Sequence, residues 1–243
     1  MKQLIFCLLV LSMNATAKGG KKPLQIEHLT GQYYVFTTYK MIDGGLFPAN
    51  GMYLVTEEGA VLFDCPWDTT QTAPLLDSIL TKHGKKVIAC IATHSHADRT
   101  GSFACLKQLG VKTYATTTTD KQCILHKENR AEFLLDKDTV FSIGGCTFQT
   151  YYPGAGHTVD NIVVWFPERK ILYGGCFIKS TEAANLGYIE EADLNAWPHS
   201  IENVLNKFGN PSFVIPGHQA WKSTRSVAHT LQLLKAAKRA KSQ

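Results

Sequence analysis

The sequence predicts a mixed α/β fold: sheets with both parallel and antiparallel pairs, covered by helices. Three observations lead there. Short β-prone runs alternate with amphipathic helical patterns, which is the order of layered α/β domains. Two pairs of runs read as hairpins, which excludes an all-parallel sheet. No long linker or low-complexity stretch divides the 243 residues, of which 44% are hydrophobic and 19% charged, so the chain can bury one large core and is not disordered.

The elements follow in order. "NGMYLVTEEGAVLFDCPW" holds two runs, Met52 to Thr56 and Ala60 to Asp64, joined by a Glu-Glu-Gly turn. Before it, "MIDGGLFPAN" (Met41 to Asn50) combines two glycines and a proline with apolar Leu46 and Phe47 between strand runs, and is expected to be a mobile flap. "TTQTAPLLDSILTKHG" places Leu75, Leu76, Ile79 and Leu80 at helical spacing and stops at Gly84. "KKVIACIAT" predicts a buried strand, "GSFACLKQLG" a helix, "VKTYAT" a strand and "TTDKQCILHKEN" a helix. Strands at "TVFSI" and "CTFQTYY" precede the hairpin "NIVVWFPERKILYGG", whose turn spans Pro167 to Lys170. "LNAWPHSIENVLNKFG" predicts a helix closed by Gly209, "SFVIP" a strand, and "SVAHTLQLLKAAKRA" a last helix with a solvated basic end.

The N-terminus reads differently. Lys2, the apolar run Leu4 to Leu11 and the small-residue triplet Ala15-Thr16-Ala17 form a secretory signal peptide over residues 1–17, leaving one domain over 18–243. The apolar run is too short to span a bilayer, and Cys7 lacks a lipoprotein context, so the mature protein is expected in the periplasm without a membrane anchor. Losing Lys2 lowers the formal net charge from +5 to +4, with basic residues scattered rather than striped; nucleic acid is therefore excluded as a partner. Six cysteines remain after Cys7 is removed, at spacings that suggest no stapled scaffold. Cys90, inside an apolar run, is expected to be a buried free thiol.

One regularity concerns chemistry. Apolar strands keep ending in residues that bind metals: "VIACIAT" leads into His94, His96 and Asp98, "FQTYYPGAG" into His157, "ILYGG" into Cys176, and "SFVIPG" into His218. Glycine precedes His157, Cys176 and His218, which suggests tight loops around a shared centre. Imidazole, thiolate and carboxylate are zinc ligands. His94, His96 and His157 would make a three-nitrogen site and Asp98, Cys176 and His218 a second, close enough for two Zn2+ ions to share one hydroxide. Alternate positions of an extended segment would aim His94 and His96 together while Asp98 reaches the neighbouring ion. The isolated His28, His83, His126, His199 and His229 read as surface or satisfied core residues, and Trp67 as core beneath the site.

"THSHADRTG", "GAGHTVDNIVVW", "GGCFIKS" and "PGHQAW" resemble the ligand motifs of class B metallo-β-lactamases, in the subclass with a cysteine in the second zinc site. The similarity runs from Ile26 to Leu234 and is nearest to flavobacterial chromosomal carbapenemases. It implies an αβ/βα sandwich, two facing mixed sheets with helices outside, and hydrolysis of penicillins, cephalosporins and carbapenems by a metal-bound hydroxide, with Asp98 orienting the nucleophile and relaying a proton. It also implies a monomer acting on small-molecule substrates, with Lys179 holding the substrate carboxylate. Arg99 stands where thioesterase and nuclease relatives resemble one another in a further histidine, and Cys176 where they tend to use aspartate; both favour the β-lactamase reading. Where many members place an asparagine that holds the lactam carbonyl, "NLGYIEE" has Tyr188, so carbonyl contact would pass to zinc, to a backbone group or to the Tyr188 hydroxyl. Asp64, ending a strand, reads either as a partner supporting the ligands or as a loop cap.

Overall fold

The computed structural model describes residues 24–136 and 138–241; the expected signal peptide and the mature start near Lys18 lie outside them. The first half builds a sheet of seven strands in sequence order. β1 (Gln25–Thr30), β2 (Tyr33–Ile42), β3 (Gly45–Val55) and β4 (Ala60–Phe63) run antiparallel. Helix α1 (Thr69–His83) then carries the chain to β5 (Val87–Ile91), α2 (Ala97–Thr100) and α3 (Phe103–Gln108) carry it to β6 (Lys112–Thr116), and α4 (Thr117–His126) carries it to β7 (Phe133–Leu135); these strands pair in parallel, as helical crossovers require.

The second half builds a five-stranded sheet from β8 (Val140–Ile143), β9 (Cys146–Tyr151), β10 (Val163–Phe166), β11 (Ile171–Gly175) and, after α5 (Trp197–Phe208), β12 (Phe213–Pro216). Only β11 and β12 pair in parallel. Helix α6 (Ser226–Lys241) closes the described chain.

Side-chain alternation sorts the strands into three apolar layers. Met52, Leu54, Val61, Phe63 and Ile91 of the first sheet meet Phe148, Val164, Phe166, Tyr173 and Ile215 of the second, forming the central layer. The intervening residues Tyr53, Leu62 and Cys90 face Leu75, Ile79, Phe103 and Leu106 of α1 and α3. On the other side Val163, Leu172 and Val214 face Trp197, Ile201, Val204 and Leu234 of α5 and α6. Two mixed sheets thus face each other with helices outside, as the resemblance implied. Cys90 is fully buried and its thiol is free.

Three details depart from the sequence reading. The segment from Met41 is not a loop: the β2–β3 pairing continues to Ile42 opposite Gly45, so the expected flap is a hairpin tip turned at Asp43 and Gly44, both in left-handed conformation. Asp98 does not continue an extended segment; it sits in the first turn of α2, which starts right after His96. Trp67 is partly exposed rather than core, with its ring 6.3 Å from Phe47 and 5.9 Å from His218. The hairpin turn is local, an Asp-Gly pair between adjacent strands, whereas Trp67 is placed against Phe47 and His218, which are far from it in sequence.

Candidate metal centre

Four chain segments leave the C-terminal ends of strands at one edge of the sandwich. The loop after β5 supplies His94 and His96, and α2 adds Asp98; the turns after β9, β11 and β12 deliver His157, Cys176 and His218. Gly217 lets the last two approach: a Cβ there would lie 2.6 Å from the Arg99 guanidinium and 2.7 Å from the Cys176 backbone nitrogen. Gly175, with φ +51, turns the chain into Cys176 where any other residue would be strained.

The six side chains converge. Donor atoms of His94, His96 and Asp98, of His94, His157 and Cys176, and of Asp98, Cys176 and His218 form three groups, each with all its atoms within 4.8 Å of one another. His94 Nε2 lies 3.2 Å from His96 Nδ1, and the His94, His96 and His157 rings stand edge to face. Cys176 Sγ is 3.1 Å from His218 Nε2 and 3.4 Å from Asp98 Oδ2. Lone-pair donors packed this densely, and mostly away from water, suit a cation at their centre, and the nitrogen, sulfur and oxygen set suits zinc. Burial above all, then His96, holds the His94 imidazole well below its ordinary pKa; burial followed by Lys179 does the same for His157. Both are therefore neutral, the form that binds metal.

Arg99 underlies the whole arrangement. Its side chain is 1% exposed, and its Nη2 donates to Cys176 Sγ (3.0 Å) and the Gly217 carbonyl (2.9 Å) and pairs with Asp98 Oδ2 (2.8 Å). Its Nη1 donates to the Asn50 carbonyl (2.7 Å) and Asp64 Oδ2 (3.2 Å). Although burial acts to raise the Asp98 pKa, Arg99 and His218 together hold it well below the usual carboxylate range. Asp64 touches none of the six donors. It accepts from the Thr93 backbone and hydroxyl, Tyr173 Oη and Arg99, so it holds the base on which the donors stand. His218 is oriented from behind by the Pro48 carbonyl, 2.7 Å from its Nδ1.

Residues 44–236 match the model of the Metallo-beta-lactamase superfamily. The chain belongs to that family. It is 45% identical to a Metallo-beta-lactamase type 2 of Elizabethkingia meningoseptica, covering 93% of this chain and 92% of the relative. It is 39% identical to Metallo-beta-lactamase IND-1 of Chryseobacterium indologenes, covering 96% and 98%. The crystal structure of metallo-beta-lactamase IND-7 superimposes with a TM-score of 0.85 at 40% identity, covering 88% of this chain and 99% of that one. The protein is thus a hydrolase of the metallo-β-lactamase family, with zinc as its cofactor.

A cleft of about 1130 Å³ opens over the donors. Lys179 lies in its wall with its side chain almost wholly buried, its Nζ 5.4 Å from the centre of the Trp197 ring. Burial pulls its pKa down while Cys176 and Asp98 oppose the shift. Tyr188, half exposed, also lines the cleft, with its ring 5.5 Å from that of His96. Phe47 and Trp67 form the hairpin side.

Sequence reading missed two members of the site. His126, read as a surface or core histidine, lines the cleft and lies 3.7 Å from Glu191. Glu191 itself is 3.2 Å from His96 Nε2. Neither follows an apolar strand as the six donors do, and only folding brings α4 and the loop before α5 to the same rim.

Proposed function

We propose that the chain is exported to the periplasm as a single domain over residues 18–243 and acts there as a monomeric zinc β-lactamase. His94, His96 and His157 hold one zinc ion, and Asp98, Cys176 and His218 hold the second. The convergence of these two donor sets beneath one open cleft carries the reading. When bound, zinc supplies a Lewis acid for the lactam carbonyl and lowers the pKa of water to about 7.

The chain's own residues do the rest. Lys179 meets the carboxylate carried by bicyclic β-lactams and so lays the lactam across the donors. Asp98, kept ionised by Arg99, orients the attacking water and relays its proton toward the lactam nitrogen, which leaves as the C–N bond breaks. Tyr188 meets the substrate with its ring from the cleft wall, its hydroxyl being given to Glu191 Oε1, so contact with the lactam carbonyl falls to zinc or a backbone group. Phe47 and Trp67 cover apolar substituents from the hairpin side. Penicillins, cephalosporins and carbapenems share the lactam and carboxylate that this arrangement reads.

The test is hydrolysis of nitrocefin and imipenem by the purified mature chain. We expect a chelator to abolish it, added zinc to restore it, and clavulanate to leave it unchanged, since no serine acyl-enzyme forms. Full activity in metal-free protein, or turnover of S-acyl glutathione without β-lactam turnover, would overturn the assignment.

A further inference from the structure

Glu191 joins the metal-facing and substrate-facing sides of the cleft. Its Oε2 lies 3.2 Å from His96 Nε2, and its Oε1 accepts the Tyr188 hydroxyl at 3.2 Å. The Tyr188 ring also meets the His96 ring edge-on, 5.5 Å between centres at 75°, while His126 Nε2 stands 3.7 Å from the same Oε2. These residues come from three places, the loop after β5, the end of α4 and the loop before α5, and one carboxylate gathers them.

The two edges of the His96 ring have different partners. Nδ1 faces His94 Nε2 and the other donors, while Nε2 faces Glu191. An imidazole that offers Nδ1 to a cation carries its proton on Nε2, and an acceptor placed there fixes both tautomer and ring plane. Neither of the other two imidazoles has a carboxylate against its outer nitrogen: His94 Nδ1 lies 3.3 Å from the Thr93 hydroxyl, which itself donates to Asp64, and His157 Nδ1 has no hydrogen-bond partner. Among the described residues, Glu191 is the one carboxylate behind this set.

We infer that Glu191 is a positioning residue with two linked tasks: it sets the tautomer and plane of His96 for the metal, and through Tyr188 it ties the substrate-facing loop to that same imidazole. The inference rests on the ligand assignment proposed above. Loss of the Tyr188 contact is then felt through Glu191 rather than separately.

Zinc affinity tests the first task without any turnover. Metal-free wild type, Glu191→Gln, Glu191→Ala and Tyr188→Phe are titrated with zinc against a chromophoric chelator, each in a Cys176→Ser background that leaves the three-nitrogen set as the tighter site. Glu191→Ala should weaken zinc binding about 10- to 100-fold, Glu191→Gln by less because its amide oxygen still accepts, and Tyr188→Phe hardly at all. Unfolding midpoints of the metal-free proteins should coincide, which separates positioning from a folding defect. For the second task, KM for a cephalosporin is measured in zinc-saturated Glu191→Gln, Tyr188→Phe and the double variant, all with Cys176 intact. The double variant should lose no more than the worse single one. Equal zinc affinity in all variants, or additive KM effects, overturns the inference. Failure of the parent protein to take up zinc would instead overturn the ligand assignment, a separate result.

Discussion

Single side chains in this site differ in what their loss would do, because burial decides how much water can compensate. Cys176 is 2% exposed and faces Asp98 and His218; a hydroxyl is a far poorer zinc ligand than a thiolate, so Cys176→Ser should lower bound zinc from about two ions toward one while the fold survives. Native mass spectrometry decides this, and unchanged metal content would refute the role. Lys179 is 9% exposed in the cleft wall and so is not a solvated loop lysine. A charge-assisted hydrogen bond to a substrate carboxylate contributes about 1.5–3 kcal/mol, much of it already in the ground state. Lys179→Ala should therefore raise KM roughly 10- to 100-fold with a smaller effect on kcat. If the variant loses as much on a carboxylate methyl ester as on the free acid, Lys179 does not hold the carboxylate. Asp64 makes a prediction about pH. Burial pushes its carboxyl up to about 6 against the pull of Arg99, Tyr173 and Thr93. The folded state then keeps a proton that the unfolded chain has already released, so the Asp64 contribution is largest below about pH 4 and declines as pH rises to about 6. Urea unfolding of the metal-free protein should lose stability relative to Asp64→Asn across that interval; a flat difference would contradict the shift.

At the scale of elements, loops after strands place the donors and tight backbone contacts hold the loops. The turn after β12 is held on both sides: the Asn50 side-chain amide donates to the carbonyls of Pro216 (3.0 Å) and Gln219 (2.8 Å), and the Gly217 nitrogen donates to the Gly175 carbonyl (2.7 Å). A methyl at Gly217 would press on Arg99, on the Cys176 nitrogen and on Gly175, two of which are backbone and cannot swing away. Gly217→Ala should cost about 1–3 kcal/mol and also reduce zinc content, because the turn carries His218. Chemical unfolding and metal analysis of one preparation check both, and wild-type values in both would show that the contact yields. The β2–β3 hairpin has the opposite character. Its tip exposes Met41 (61%) and Phe47 (37%), so it contributes to the cleft rather than to the core.

For the molecule as a whole, the six donors come from both sheets, so on the proposed ligand assignment metal binding would tie the two halves together. A ligand that binds only the folded state stabilises it by about 2.7 kcal/mol at a hundred times its Kd, which for a domain of this size shifts Tm by roughly 5–10 °C. Chelation should lower Tm by that much and zinc should restore it; an unchanged Tm would mean that the donors are not linked by metal. Strand periodicity, hairpin turns and glycine stops made nearly every element legible in the sequence, since these signals act over a few residues. The six donors were legible because each follows an apolar strand, and a strand end at a sheet edge is where such residues can meet. Short β7 and the polar-flecked β1 were not individually read, since three residues or a half-exposed edge strand leave little pattern. Asp98 in a helical first turn, Arg99 as the buried cation beneath six donors, Asp64 as its counter-charge and Glu191 behind His96 were settled only by tertiary structure. Local sequence determines backbone periodicity and which residue types reach an edge. The distance between charges on separate loops depends on how two sheets pack, and that is a property of the whole chain.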